Sequence, residues 1–362
     1  MSDILALVRP ELRSLVPYTP GAYEPGYIRL NANESPWRAP GDVTERGLNR
    51  YPPPRPWSLR RRLAEHYSVS EDELLVTRGS SEAIDVLIRA CCAAGRDQLL
   101  ICPPTFDMYR LYGEIQGAEI LRVPLARTPE RETDFALDAR EILTAVTDRT
   151  KLIFICSPNN PTGGSLRRSD VEAVCEGVAG QALLVIDEAY REFADAPSFR
   201  DLQARYEHVV LLRTLSKFVS LAGVRCGAII ATAQLIEFLG AVLPPYTFPT
   251  PSIELVLAAL SADSLQVSAE RTELLRKERE RMSVALLNVP RVIKIWPSDA
   301  NFILVETSDE RSFSGAARRA NILVRTFSAE PALQNCVRIT IGRPEDNDRL
   351  LQAVSGAEFG ND

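Results

Sequence analysis

What most constrains this chain is an alternation: short aliphatic runs, each bounded by turn or charge signals, take turns with amphipathic stretches of helical period. Leu74–Thr77, Gln98–Cys102, Glu119–Val123, Leu152–Cys156, Leu183–Ile186, Val209–Leu212 and Cys226–Ile230 are the runs, each of four or five residues. Most are apolar throughout, with no polar face, which is how strands covered on both sides read. The stretches between them, such as Ser81–Ala94 and Arg168–Val178, are long enough for crossover helices. The pattern predicts an α/β fold, a three-layer large domain around a mostly parallel seven-stranded sheet.

After Pro251 the period changes to a long helical pattern through Ile253, Leu257, Leu260, Leu274, Leu275 and Leu286, broken once near Ser264. Short strands then return at Val292–Ile295, Phe302–Val305, Ile322–Val324 and Val337–Ile341, with helices near Ser312–Arg319 and from Pro344. This predicts a smaller α+β C-terminal domain. The first segment is rich in Pro, Gly and Asn and reads as an arm. The expected division of the 362 residues is an arm over 1–40, a large domain over 41–260 and a small domain over 261–362.

Composition narrows the function classes only slightly. With 42 basic against 48 acidic side chains the net charge is -6, and no basic run is long enough to track a phosphate backbone. Arg60, Arg61 and Arg62 sit among Leu59, Leu63 and Tyr67 at helical spacing, which reads as a solvated helix face. The seven cysteines form no C-x-x-C pair and no cluster with histidines, so they read as reduced core thiols and no metal is expected. Met1–Pro10 lacks a cationic start, and no stretch approaches the roughly 20 apolar residues of a membrane span. A cytoplasmic protein with no nucleic-acid or membrane partner is expected.

The chemistry concentrates where the predicted strands end, which is where open α/β sheets build their sites. Leu183–Ile186 runs into Asp187-Glu188-Ala189-Tyr190, which puts a carboxylate at the sheet's mouth; the same residues could simply cap the next turn. Val209–Leu212 runs through Arg213, Thr214 and Leu215 into Ser216-Lys217. A lone lysine there is ordinarily an exposed loop residue, yet Thr214, Ser216 and Arg225 around it supply the hydroxyls and guanidinium that a phosphate dianion takes. Gly79-Ser80-Ser81-Glu82 opens a helix after Leu74–Thr77, either as an N-cap or as an anion-binding turn. Ser157-Pro158-Asn159-Asn160-Pro161-Thr162-Gly163-Gly164 holds more turn formers than one turn needs.

In order and spacing, the segments Ser157–Gly163, Asp187–Tyr190, Arg213–Lys217 and Leu221–Gly227 resemble the fold-type I pyridoxal-phosphate-dependent aminotransferases. Leu30–Glu34, Arg50–Pro52, Cys102–Phe106 and Val337–Gly342 resemble the histidinol-phosphate aminotransferase branch of that family. The resemblance implies that Lys217 carries pyridoxal 5′-phosphate as a Schiff base and that Asp187 pairs with its pyridinium nitrogen. It also implies that Asn160 and Tyr190 bond the ring oxygen and that Phe106 stacks on the ring, where relatives commonly have tyrosine. Ser80, Ser81, Thr214, Ser216 and Arg225 would hold the phosphate, with Tyr51 reaching in from a second subunit of a homodimer.

By the same resemblance Arg338 clamps the substrate α-carboxylate, Tyr18 and Arg325 lie near a substrate phosphate, and Asn33 and Glu34 lie over the pocket. The implied reaction is ping-pong transamination of L-histidinol phosphate with 2-oxoglutarate. An aromatic or broad-range amino-acid aminotransferase, a threonine-phosphate decarboxylase and a non-catalytic regulator are the competing readings.

Overall fold

The computed structural model describes residues 4–19, 21, 26–45, 47–126, 135–328 and 330–356. Part of the expected arm therefore lies outside the described residues. Seven strands form the larger sheet: β1 (Leu74–Thr77), β2 (Gln98–Ile101), β3 (Glu119–Arg122), β4 (Thr150–Cys156), β5 (Leu183–Asp187), β6 (Val209–Thr214) and β7 (Gly227–Ile230). Their order is β1-β7-β6-β5-β4-β2-β3. All neighbours are parallel except β7, which runs against both β1 and β6. Two reversals restore direction, so β1 points the same way as β6 and its carboxyl end opens on the same edge of the sheet.

Both faces are covered, and the pleat sorts the side chains between them. On β4 and β5, Ile153, Ile155, Leu184 and Ile186 join one buried cluster, while Leu152, Phe154, Leu183 and Val185 join the other. That two-sided burial is why these strands read as apolar throughout. Only β3, at an edge, is half exposed along its length, in keeping with Glu119 and Arg122 at its ends.

The expected long helix is two helices, Thr250–Ala259 and Ala262–Leu286, bent by 71°. The break falls just before the expected point, because Ser261 caps the second helix, its side chain accepting from Ser264 N–H. The smaller sheet is antiparallel in the order β10-β11-β9-β8, with β8 Val292–Ile295, β9 Phe302–Thr307, β10 Arg325–Thr326 and β11 Cys336–Thr340. The strand expected at Ile322–Val324 is displaced: Ile322 N–H is spent on Ala317 O, finishing the turn after helix Glu310–Arg319, so pairing starts only at Arg325. One face of this sheet is buried with Met282, Phe313 and Leu350. On the other side Phe302 packs on Ala189, Tyr190 and Phe193, which brings β11 against the mouth of β5.

Candidate active site

Asp187 is the last residue of β5, and its side chain is buried. One carboxylate oxygen accepts from Tyr109 Oη at 2.8 Å, the other from Ala189 N–H at 3.0 Å. Burial outweighs both hydrogen bonds and pushes the Asp187 pKa up from 3.8 to about 6. Lys217, in the turn after β6, moves the opposite way: burial first, then the charges of Arg338 and Arg225, lower its pKa, while Asp187 opposes them. Its Nζ lies 5.5 Å from the centre of the Tyr190 ring. Tyr190 is itself buried edge-on against Phe302.

The turn after β6 folds back on β7 through Leu215 N–H and Cys226 O at 3.0 Å. Thr214 Oγ1 and Ser216 Oγ thereby sit 2.9 Å apart, with Arg225 Nη1 3.5 Å from Ser216 Oγ. Arg225 also lies across the start of helix Gly79–Cys91. A Cβ on Gly79 would stand 2.7 Å from Arg225 Nη2, and Gly79 has φ +74°. A Cβ on Gly227 would come within 2.8 Å of the Gly79 carbonyl carbon. Two glycines thus let a helix N-terminus, two hydroxyls and a guanidinium converge, a set suited to an anion. Ser80 and Ser81 occupy the first turn of that helix.

The two asparagines of the loop after β4 divide their work. Asn159 ties loops together, with Nδ2 donating to Pro104 O and Thr162 Oγ1 and Oδ1 accepting from Thr105 Oγ1. Asn160 faces the site, its Oδ1 accepting from Arg338 Nη1. Arg338, on β11, stands over Phe302 and Phe327, and its register partner on β10 is Arg325. Phe106, after β2, is half-buried and meets Tyr109 edge-on at 5.7 Å.

Tyr51, Tyr18, Glu34 and Asn33 have neighbours of their own. Tyr51 lies against Tyr246 with ring centres 4.8 Å apart and planes tilted by 32°, and Tyr18 lines a groove of about 450 Å³ with Pro17, Trp57 and Leu243. Glu34 holds Arg29 at 2.7 Å, Arg50 at 2.9 Å and the Tyr51 N–H at 2.8 Å, while Asn33 is exposed in the left-handed region. Sequence reasoning missed Tyr109 altogether.

A profile of the family described as aminotransferase class I and II matches residues 31–354. A histidinol-phosphate aminotransferase of Xylella fastidiosa (strain 9a5c) is 43% identical over 354 residues, 97% of this chain and 96% of that protein. One from Stenotrophomonas maltophilia (strain R551-3) is 41% identical over 360 residues, 98% of this chain and 97% of that protein. Among solved structures, the histidinol-phosphate aminotransferase from Sinorhizobium meliloti in complex with pyridoxal-5′-phosphate superposes with a TM-score of 0.75 at 23% identity, covering 85% of this chain and 83% of that one.

Proposed function

The chain belongs to the aminotransferase class I and II family, and from that premise we propose that it transfers the amino group of L-histidinol phosphate to 2-oxoglutarate in histidine biosynthesis. Its cofactor is pyridoxal 5′-phosphate, on which the family depends. The residues present fit that group. Asp187 is a buried carboxylate whose charge burial disfavours, a cost that a cationic ring nitrogen beside it would offset, and the Gly79 cradle beside Arg225 suits a phosphate. Asp187 would hold the nitrogen, Asn160 and Tyr190 the ring oxygen, and Phe106 one ring face. Ser80, Ser81, Thr214, Ser216 and Arg225 would hold the phosphate.

When bound, the cofactor supplies a protonated pyridine ring that takes up the electron pair released at the substrate Cα. The chain's part is positioning and proton movement. Lys217 Nζ, its pKa lowered by burial and by Arg338 and Arg225, gives up its proton more easily than a free lysine, which suits it to take the Cα proton. Arg338 orients the substrate through a two-pronged contact to its anionic group, at the cost of releasing Asn160.

The observation that carries the substrate class is Arg325 facing Arg338 across β10 and β11. The charge of Arg325 adds to burial in lowering the Arg338 pKa, a repulsion that an anion between the two would relieve. An amino acid brings one negative charge as its α-carboxylate; histidinol phosphate brings a phosphate ester of nearly two. The pair favours the latter, and 2-oxoglutarate, with two carboxylates, can use both guanidiniums in the second half of the reaction. The test is the visible absorbance of the reconstituted enzyme, a band Lys217→Ala lacks, followed after adding L-histidinol phosphate, L-phenylalanine or L-glutamate. Fastest bleaching by histidinol phosphate is expected. Fastest bleaching by phenylalanine would move the enzyme to the aromatic reading, and release of carbon dioxide to a decarboxylase.

The working unit is a homodimer in which Tyr51 of each copy completes the other's phosphate site. Tyr27, Ile28, Leu30, Trp37 and Val43 support this, since all five are at least 74% exposed within residues 27–43, more apolar surface than one short segment ordinarily leaves bare. A reducing cytoplasmic setting is supported by seven buried free cysteines.

A further inference from the structure

Tyr109 is an unassigned tyrosine placed to govern Asp187. It lies on helix Met108–Gln116, three residues beyond Phe106, and is wholly buried. Its ring is stacked on Phe154 at 4.8 Å with 13° between planes, and Phe106 closes on it edge-on. Two aromatic contacts fix the ring and therefore the direction of its hydroxyl, which reaches Asp187 Oδ2 at 2.8 Å. The other groups that sense Asp187 are Cys156 on β4, Glu188 beside it, Tyr190 beyond it and Lys217 after β6. Among the described residues, Tyr109 is the side chain that donates a hydrogen bond to the carboxylate.

A carboxylate turns easily about its last bond, and one buried without donors takes up a proton. With Tyr109 Oη on Oδ2 and Ala189 N–H on Oδ1, Asp187 is fixed in plane and its charged form is favoured. Burial raises the pKa of the Tyr109 phenol far above its usual value, so it stays a donor at every working pH.

We propose that Tyr109 is a positioning residue for the cofactor: through Asp187 Oδ2 it keeps the shared proton on the ring nitrogen and not on the carboxylate. This rests on the reading that Asp187 serves that nitrogen. Remove the hydroxyl and the carboxylate keeps one donor; its proton affinity rises, and the ring nitrogen tends to neutrality. The electron sink weakens while substrate binding, which uses Arg338, is left alone.

The test is Tyr109→Phe, which keeps the ring and its stacking, compared with the parent and Asp187→Asn. Each is reconstituted with pyridoxal phosphate isotopically labelled at the ring nitrogen. In Tyr109→Phe the nitrogen NMR signal should move toward neutral pyridine, cofactor affinity should fall about tenfold, and kcat should fall about tenfold with KM nearly unchanged. A signal at the parent's position overturns the proposal, even if the thermal midpoint drops, since that pattern marks a merely structural tyrosine. If Asp187→Asn also leaves the signal and kcat unmoved, the underlying reading of Asp187 fails as well. A parental Tyr109→Phe beside a crippled Asp187→Asn removes Tyr109 alone.

Discussion

A carboxylate with no cation at hand is the most costly group in the site. Asp187 has its pKa raised from 3.8 to about 6 by burial, which at 1.36 kcal/mol per unit is about 3 kcal/mol. Because the folded value is the higher one, no cost is felt below the unfolded pKa. Stability is then lost as pH rises through the folded value, and above pH 6 the cofactor-free protein carries the whole penalty. Asp187→Asn should therefore stabilise the cofactor-free protein by roughly 1–3 kcal/mol at pH 8, with the advantage shrinking toward pH 4. The amide can still accept from Ala189 N–H and donate to Tyr109 Oη. Urea unfolding at several pH values measures this, and a less stable variant at pH 8 would refute it. Activity should collapse in the same variant, the usual conflict between a site's stability and its chemistry. Asp187 and Lys217 could be singled out only in combination: each alone reads as a turn cap or a loop lysine, and it was the resemblance of Asp187–Tyr190 and Arg213–Lys217 to aminotransferase segments that raised them. Tyr109 was not legible: on helix Met108–Gln116 it holds an ordinary core position, and its partner lies 78 residues away.

Among the elements, the arm shows how a segment without regular structure holds a shape. Glu34 has a side chain only 2% exposed, clasped by Arg29, Arg50 and the Tyr51 N–H, while Arg29 Nη1 also donates to Tyr51 O. One buried carboxylate thus fixes where Tyr51 projects. Glu34→Gln would leave two guanidiniums without their counter-charge, a loss of about 2 kcal/mol. Backbone amide exchange across residues 29–51 should quicken severalfold, whereas exchange in β4 and β5 should stay as it was. Equal protection in variant and parent would mean the clasp does not hold the arm. The strands were legible to within two residues at each end because continuous burial leaves a continuous apolar run. Ile322–Val324 looked the same, yet its backbone was claimed by the helix before it, a competition for hydrogen bonds that composition does not record. The clasp on Glu34 was likewise invisible: the resemblance placed it over the pocket, and nothing in the sequence says that Arg29 and Arg50 meet on it.

For the whole molecule, the company that Tyr51 and Tyr18 keep is the decisive arrangement. Within one copy Tyr51 rests on Tyr246, whose pKa is raised by burial and by neighbours that include Tyr18 and Glu34, and none of the groups that perturb Lys217 comes from the arm. If the arm serves a second copy across a two-fold axis, two defective subunits should repair each other. A Lys217→Ala subunit has no working site of its own but still offers Tyr51; a Tyr51→Ala subunit keeps Lys217 but offers nothing to its neighbour. In a mixed dimer one site receives both residues intact. Random pairing makes half the dimers mixed, each with one good site of two, so equal mixing after dissociation should yield about one quarter of parental activity. That value should exceed the average of the two variants assayed apart. Were Tyr51 to act on its own chain's site, the Lys217→Ala subunit would contribute nothing and mixing would only dilute the Tyr51→Ala activity. The experiment thus separates a shared site from two self-sufficient ones, whatever the substrate proves to be.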